Sequence, residues 1–281
     1  MAAPVLLTLG HGYSAAALAA SLPAGWRRIG TTRSGERARA MEAAGVEPVD
    51  WADAAAVEAA IAAADHLLLS IPPGDEGDPA LGRHADALAR ARPIWVGYLS
   101  TTGVYGDRDG GWVDETCELR PAGARGMARL AAERDWLATG LPVEIFRLAG
   151  IYGPGRSTFD RLREGRSQRV VKPGQVFSRI HVEDIAGALR HAIAHPRPGR
   201  VWNLADDAPA PPGEVIVFAA ELIGVPVPPE IPFEEAVLSP MARSFYAESK
   251  RVSNRAMRAE GYAPRYRDYR EGLRAILAVG G

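Results

Sequence analysis

The stretch from Val5 to Ala19, Val-Leu-Leu-Thr-Leu-Gly-His-Gly-Tyr-Ser-Ala-Ala-Ala-Leu-Ala, constrains the fold more than any other part of the chain. Four apolar residues broken by one Thr read as a short buried strand, and the Ala-rich run reads as a helix. Between them stands Gly10-x-Gly12-x-x-Ala15. Gly10 permits a tight turn out of the strand. Gly12 has no Cβ, so a pyrophosphate can approach its backbone, and Ala15 is small enough for helix and strand to pack closely. The N–H groups that open the helix, around Tyr13 and Ser14, would then face the phosphate, with the helix dipole favouring its charge. The reading is a dinucleotide-binding turn formed by Gly10, Gly12, Tyr13, Ser14 and Ala15.

With 281 residues the chain is long enough for one large domain or two moderate ones. A formal net charge of -1 provides no basic field for nucleic acid and no acidic tail. Lys172 and Lys250 are the only lysines, and arginine carries the remaining positive charge. The single cysteine, Cys117, excludes an internal disulfide, and no His/Cys/Asp/Glu set has metal-ligand spacing. No apolar run is long enough to span a bilayer, and the N-terminus lacks the basic start of a signal peptide. The expectation is a cytoplasmic protein without bound metal, membrane or nucleic acid.

Further along, strands and helices alternate. Trp26–Gly30 reads as a second strand ending in Thr31-Thr32-Arg33-Ser34. In dinucleotide folds an acid at this point binds the 2′-hydroxyl of NAD, whereas an Arg accommodates the 2′-phosphate of NADP. No Asp or Glu stands at the strand end, so Thr32 and Arg33 point to NADP(H). A helix over 34–44 precedes a strand at Val46–Val49, which ends in Asp50-Trp51, where Asp50 could accept from the adenine amino group. A helix over 53–63 leads to a strand at Asp65–Ile71, and Ser70-Ile71-Pro72 opens a rigid loop at the carboxyl end of the sheet. A helix over 79–91 follows. The fifth strand, Ile94–Leu99, ends in Ser100-Thr101-Thr102-Gly103-Val104-Tyr105-Gly106. This spacing implies βαβ units, a parallel sheet and right-handed crossovers. The fold class is therefore α/β, a Rossmann-type doubly wound sheet with a smaller C-terminal lobe.

Strand, then Ser-Thr-Thr-Gly-Val-Tyr-Gly, resembles the extended short-chain dehydrogenase/reductase superfamily, the NAD(P)-dependent epimerase/dehydratase group. The Gly-rich turn, Asp50, Arg147-Leu-Ala-Gly-Ile-Tyr152-Gly-Pro-Gly155, Arg179-Ile-His181-Val-Glu-Asp184-Ile-Ala186 and Val201-Trp-Asn203-Leu repeat further motifs of that group, in order. The resemblance implies that Thr101 occupies the place of the Ser/Thr that hydrogen-bonds the substrate carbonyl. It also implies a Tyr-x-x-x-Lys pair on the next helix, followed by Glu. That helix reads Pro121-Ala-Gly-Ala-Arg125-Gly-Met-Ala-Arg129-Leu-Ala-Ala-Glu133. Aligned on Glu133, Arg125 stands at the Tyr position and Arg129 at the Lys position. An arginine holds its proton near neutral pH and cannot replace a tyrosine acid/base. Arg129 could still bind the nicotinamide ribose as a fixed cation.

Val143–Leu148 reads as a strand leading to the Tyr152-Gly-Pro-Gly turn, at the sheet end where ligands of open α/β folds bind. Residues 156–178 are basic, with Arg156, Arg161, Arg163, Arg166, Arg169 and Lys172, either as a solvated helix and loop or as cations closing, with Arg125, over an anionic substrate. Beyond Asn203 come a turn-rich linker at 206–212 and an amphipathic helix over 213–224. An extended connector at 226–232, a helix or loop over 233–242, and helices over 249–259 and 269–277 complete the reading. The dinucleotide domain is assigned to 1–155 plus 178–206, and the substrate lobe to 156–177 plus 207–281. His181 and Asp184 read as a helix-start pair in which Asp184 caps, and His11 as a residue packed near the pyrophosphate rather than a catalyst.

Two functional classes fit these residues. One is an NADP(H)-dependent oxidoreductase or epimerase of a small, anionic carbonyl or hydroxyl substrate. There Thr101 orients the substrate, and Tyr105, Tyr152 or an ordered water moves the proton. The other is a non-catalytic NADPH-binding regulator that has lost the acid/base pair. Expected partners are the small molecule and, in a homodimer, a second copy of the chain.

Overall fold

The computed structural model describes residues 3–280. Residues 1, 2 and 281, the outer ends of the expected domain ranges, lie outside them. The chain alternates from its start through β1 (Val5–Leu9), α1 (Tyr13–Ser21), β2 (Arg27–Thr32), α2 (Gly35–Ala43), β3 (Glu47–Asp50), α3 (Ala54–Ala63), β4 (His66–Leu69), α4 (Pro79–Arg90) and β5 (Trp95–Thr101). There follow β6 (Trp112–Val113), α5 (Ala124–Leu137), β7 (Val143–Leu148), β8 (Gly150–Tyr152), α6 (Phe159–Arg163), β9 (Arg169–Val171), β10 (Arg179–His181) and α7 (Val182–Ala194). Last come β11 (Val201–Leu204), α8 (Pro212–Ile223), β12 (Glu230–Pro232), α9 (Pro240–Phe245), β13 (Arg251–Val252), α10 (Arg255–Ala259) and α11 (Tyr269–Ala278). Ser34, Asp53, Asp78 and Asp268 cap α2, α3, α4 and α11 through their side chains. By contrast α1 and α5 begin at Gly12 and Gly123 with no side-chain cap.

Seven strands form one parallel sheet in the order β11-β7-β5-β4-β1-β2-β3. The order reverses between β1 and β4, so the loops after those two strands flank the switch point at which open α/β sheets bind ligands. Helices cover the sheet, which explains why β1, β4 and β5 are near-continuous apolar runs rather than alternating ones. Leu7, Leu9, Leu67, Leu69, Val96, Tyr98 and Ile145 pack there with Val57, Ile61, Leu88 and Trp136 from the helices.

The chain divides into two compact units. The first runs to Val104 and adds Gly123–Arg147 and Ile185–Trp202; the second comprises Tyr105–Ala122, Leu148–Asp184 and Asn203 onward. The boundaries thus differ from the expected ones: 105–122, 148–155, 178–184 and 203–206 belong to the second unit. That unit contains three two-stranded parallel pairs, β8 with β10, β9 with β12, and β6 with β13. Its core gathers Tyr152, Phe159, Leu162, Ala219, Ala220, Tyr269, Leu273 and Ile276.

The expected single helix over 249–259 is also corrected, to β13 followed by the short α10. Ser249 is bonded through every polar group. Its carbonyl accepts from the N–H groups of Arg108 and Gly110, and its N–H donates to Asp107 Oδ1 at 2.7 Å. Its hydroxyl accepts from the Val176 N–H and donates to the Gly174 carbonyl. These distant bonds outweigh local helical preference. The connector at 226–232 ends as β12, and in 233–242 a helix begins only at Pro240, capped by Ser239.

Candidate functional site

The Gly10–Ala15 turn distinguishes two kinds of glycine. Gly10 has φ +88, and a Cβ there would lie 2.7 Å from Ile71 Cγ1, so the protein itself requires glycine. Gly12 has extended backbone (φ -95, ψ -167), and a Cβ there would meet nothing within 4 Å. Among the described residues nothing demands glycine at 12; the space above it is open at the start of α1, whose first turn carries no acid. These features fit a pyrophosphate, held by backbone N–H groups and the helix dipole. Ala15 is fully buried and Ser14 nearly so. The turn is fixed from below: Gly10 N–H donates to Thr31 Oγ1 at 2.8 Å, and His11 N–H to the Thr31 carbonyl at 3.0 Å. The Ser70 N–H donates to the Leu9 carbonyl at 2.9 Å, which brings Ser70, Ile71 and the following Pro72 beside the turn.

His11 Nδ1 lies 2.8 Å from Thr8 Oγ1, and its ring packs where Gly30 lacks a side chain. Burial holds its pKa below the ordinary histidine value, so it is a neutral packing residue.

At the end of β2, Thr32 Oγ1 accepts from the Ser34 N–H, and Arg33 is exposed. No carboxylate stands at the strand end; Glu36 follows in the first turn of α2. At the end of β3, Asp50 Oδ1 accepts from the Ala52 N–H at 2.9 Å, and Trp51 N–H donates to the Thr32 carbonyl at 2.9 Å.

Thr101 closes β5 half-buried, its hydroxyl accepting from the Gly103 N–H at 3.1 Å. Arg129 of α5 reaches back to β5, donating to the Leu99 carbonyl and, at 3.3 Å, to the Tyr98 hydroxyl. Burial pushes the pKa of Tyr98 up to about 12, so it accepts as a neutral phenol. One turn on, Glu133 accepts from Ser100 Oγ and from Nε and Nη2 of Arg147. Thus β5, α5 and β7 are cross-linked directly behind Thr101. Arg125, in the uncapped first turn of α5, is exposed.

Several expected roles change in the second unit. Tyr105 is fully buried, and its hydroxyl donates to Asn203 Oδ1 at 2.8 Å. A phenol so enclosed and committed is removed as a proton carrier. Tyr152 is also buried, its hydroxyl donates to the Asp268 carbonyl at 3.4 Å, and burial drives its pKa far upward. It too is a poor acid, and as a cofactor contact its hydroxyl is already engaged. Among the basic residues, Arg163 pairs with Asp160, Arg166 with Glu164 and Arg169 with Glu230, while Lys172 donates to the Tyr246 carbonyl. At least these four serve local structure.

His181 Nδ1 accepts from the Glu183 N–H at 3.2 Å, so His181 caps the start of α7. Burial lowers its pKa to about 4. Asp184 instead accepts from the Arg265 and Tyr266 N–H groups and ties that segment down. Sequence reasoning missed the roles of Ser100, Glu133 and Arg147 as a network. The signal lay in β7, Val-Glu-Ile-Phe-Arg-Leu, where two charges interrupt an apolar strand and each demands a buried partner. Among the described residues no group of three or more His, Cys, Asp or Glu could hold a metal ion, and no helix is long and apolar enough to cross a membrane.

The chain is similar to known proteins in sequence and in fold. Residues 83–205 match the model of the NAD dependent epimerase/dehydratase family. Protein YeeZ of Escherichia coli K12 is 31% identical over 238 residues, which cover 78% of this chain and 84% of YeeZ. The solved structure of a functionally unknown conserved protein from Silicibacter pomeroyi DSS is 50% identical, with a TM-score of 0.92 over 98% of this chain and 99% of that one. Human epimerase family protein SDR39U1, solved with NADPH, is 19% identical and shares the fold, with a TM-score of 0.77 over 98% and 99% of the two chains. The chain belongs to the NAD dependent epimerase/dehydratase family and has its NAD(P)-binding fold.

Proposed function

We propose that the protein is an NADP(H)-dependent oxidoreductase or epimerase acting on a small, anionic carbonyl or hydroxyl compound. The observation that carries the reading is the open space over Gly12 at the mouth of uncapped α1, followed by a β2 that ends in Arg33 without a carboxylate. The first feature suits a pyrophosphate and the second a 2′-phosphate. That SDR39U1 was solved with NADPH supports the same choice.

The nicotinamide, when bound, supplies or accepts the hydride. The chain's part is to orient and to stabilise charge. Thr101 presents a half-buried hydroxyl to a carbonyl oxygen, held by a strand that Arg129 and Glu133 secure from behind. Arg125 adds a guanidinium in the first turn of α5, where the helix dipole also favours an anion. With the Tyr105 and Tyr152 hydroxyls committed elsewhere, an ordered water exchanges the proton with solvent, while the Thr101 hydroxyl only orients the substrate oxygen.

Those two committed tyrosines favour a second reading, a non-catalytic NADPH-binding regulator. A turnover experiment separates the two. NADPH oxidation is followed with a panel of carboxylated and neutral aldehydes and ketones, on wild type and Thr101→Ala. Oxidation of a carboxylated substrate that Thr101→Ala loses supports the enzyme. Tight NADPH binding without turnover on any of them supports the regulator, and absence of NADPH binding overturns both.

A further inference from the structure

The loop after β3 is held more firmly than a surface loop needs, and the agent is a residue of α4. Arg83 donates from Nη1 to the Trp51 carbonyl and from Nη2 to the Ala52 carbonyl, both at 2.9 Å. Its Cζ lies 5.6 Å from the centroid of the Trp51 ring. The next residue, His84, is buried, and its ring meets the indole at 5.3 Å and 81°. Consecutive residues of a regular helix point about 100° apart and do not address one neighbour. Here α4 breaks its regular geometry at His84 (φ -129, ψ 25), and both side chains converge on Trp51.

From the other side the loop is equally constrained. Trp51 N–H donates to the Thr32 carbonyl, Asp53 N–H to the Asp50 carbonyl at 3.1 Å, and Asp53 caps α3 through the Ala56 N–H at 3.0 Å. Exposed carbonyls such as those of Trp51 and Ala52 could be satisfied by water at little cost. An arginine spent on them therefore adds order rather than hydrogen-bonding capacity. What it orders is the half-buried indole beside Asp50.

We propose that Arg83 is a positioning residue for the adenine end of the cofactor site, a role that rests on the NADP(H) reading. It does not touch the cofactor. It holds the Trp51 ring in the orientation that the adenine meets, so the ordering cost is met before binding rather than during it.

The test titrates wild type, Arg83→Ala, Arg83→Lys, Trp51→Ala and the Arg83→Ala/Trp51→Ala double variant. The probes are NADPH, NADH, ADP and reduced nicotinamide mononucleotide. Arg83→Ala should weaken NADPH and ADP by about 3- to 10-fold, the worth of one immobilised side chain, and leave the mononucleotide unchanged. Arg83→Lys, which keeps a donor but not the planar fork, should fall between. Because Arg83 acts through Trp51, the double variant should bind NADPH no more weakly than Trp51→Ala alone. Arg83 is exposed, so its variants should melt like the wild type. Unchanged ADP affinity, equal weakening of the mononucleotide, or additive losses would each overturn the positioning role while leaving the cofactor reading intact. A wild type that binds neither dinucleotide would remove the cofactor reading, and this role with it.

Discussion

The carboxylate of Glu133 on α5 and the guanidinium of Arg147 on β7 meet at 2.7 Å, with side chains only 3% and 4% exposed. Glu133 also accepts from Ser100 Oγ, so one carboxylate joins a helix and two strands of the first unit. Truncating one partner of such a pair leaves the other buried without compensation, a loss of about 3–5 kcal/mol. Glu133→Ala should therefore lower unfolding stability by that order in a denaturant titration. The double variant Glu133→Leu/Arg147→Met should recover much of it. For contrast, Arg27 and Glu47 also pair at 2.7 Å but are 47% and 54% exposed. Arg27→Ala should leave the unfolding midpoint close to wild type, since exposed pairs are worth little. Similar losses for both single variants would refute this ranking.

The two glycines of the turn should fail in different ways. Gly10→Val forces a branched side chain into positive φ and against Ile71, and should impair folding. Gly12→Val has room in the protein alone and should fold with near wild-type stability. Its side chain would fill the space reserved for the pyrophosphate, so NADPH binding should be lost. Calorimetric titration after a thermal melt tests both halves. Normal cofactor binding by Gly12→Val would reduce the motif to a simple turn.

Arg33 should set the preference for NADPH over NADH. A charge-assisted hydrogen bond to the 2′-phosphate is worth about 1.5–3 kcal/mol. Arg33→Ala should weaken NADPH by roughly 10- to 150-fold, which is that range converted at 1.4 kcal/mol per factor of ten, and leave NADH nearly unchanged. Equal affinity of the wild type for the two cofactors would end the assignment.

What the sequence disclosed, and what it hid, follows from the range of the interactions involved. The first five strands, their helices and the turn at Gly10 are written in local periodicity and local caps, which a window of a few residues contains. Arg147 and Glu144 were half-visible as charges inside an apolar strand. Glu144 is fully buried and accepts from the indole N–H groups of Trp95 and Trp202 and from the Arg197 N–H. Only three-dimensional proximity could name those partners. Tyr105 looked available because it follows the β5 motif directly, yet its hydroxyl is claimed by Asn203, remote in sequence. The helix expected from Ser249 likewise yields to bonds with Asp107, Arg108 and Gly110. The same applies to Arg83, an ordinary exposed position until its two carbonyl partners are seen.

Stability should depend on pH through Asp206, in the second unit. It is 1% exposed; its Oδ1 accepts from the Ala208 N–H at 3.1 Å, and its Oδ2 is buried without a hydrogen-bond partner. Burial raises its pKa to about 8, although the Ala208 N–H and the charge of Arg179 pull the other way. An unfolded chain would release this proton near the ordinary aspartate value of about 4. Between about 4 and 8 the folded protein thus binds more protons than the unfolded chain, and its stability falls as pH rises. His181 works in the opposite sense. Burial lowers its pKa to about 4, so its contribution falls as pH drops below the ordinary histidine value of about 6.5. Denaturant midpoints measured from pH 5 to 9 should decline between about pH 6.5 and 8, where His181 no longer offsets Asp206. Asp206→Asn, which keeps the shape and removes the titration, should abolish that decline between about pH 6.5 and 8. An Asp206→Asn profile parallel to wild type above pH 6 would mean that Asp206 is ionised in the folded protein, with the charge of Arg179 outweighing burial.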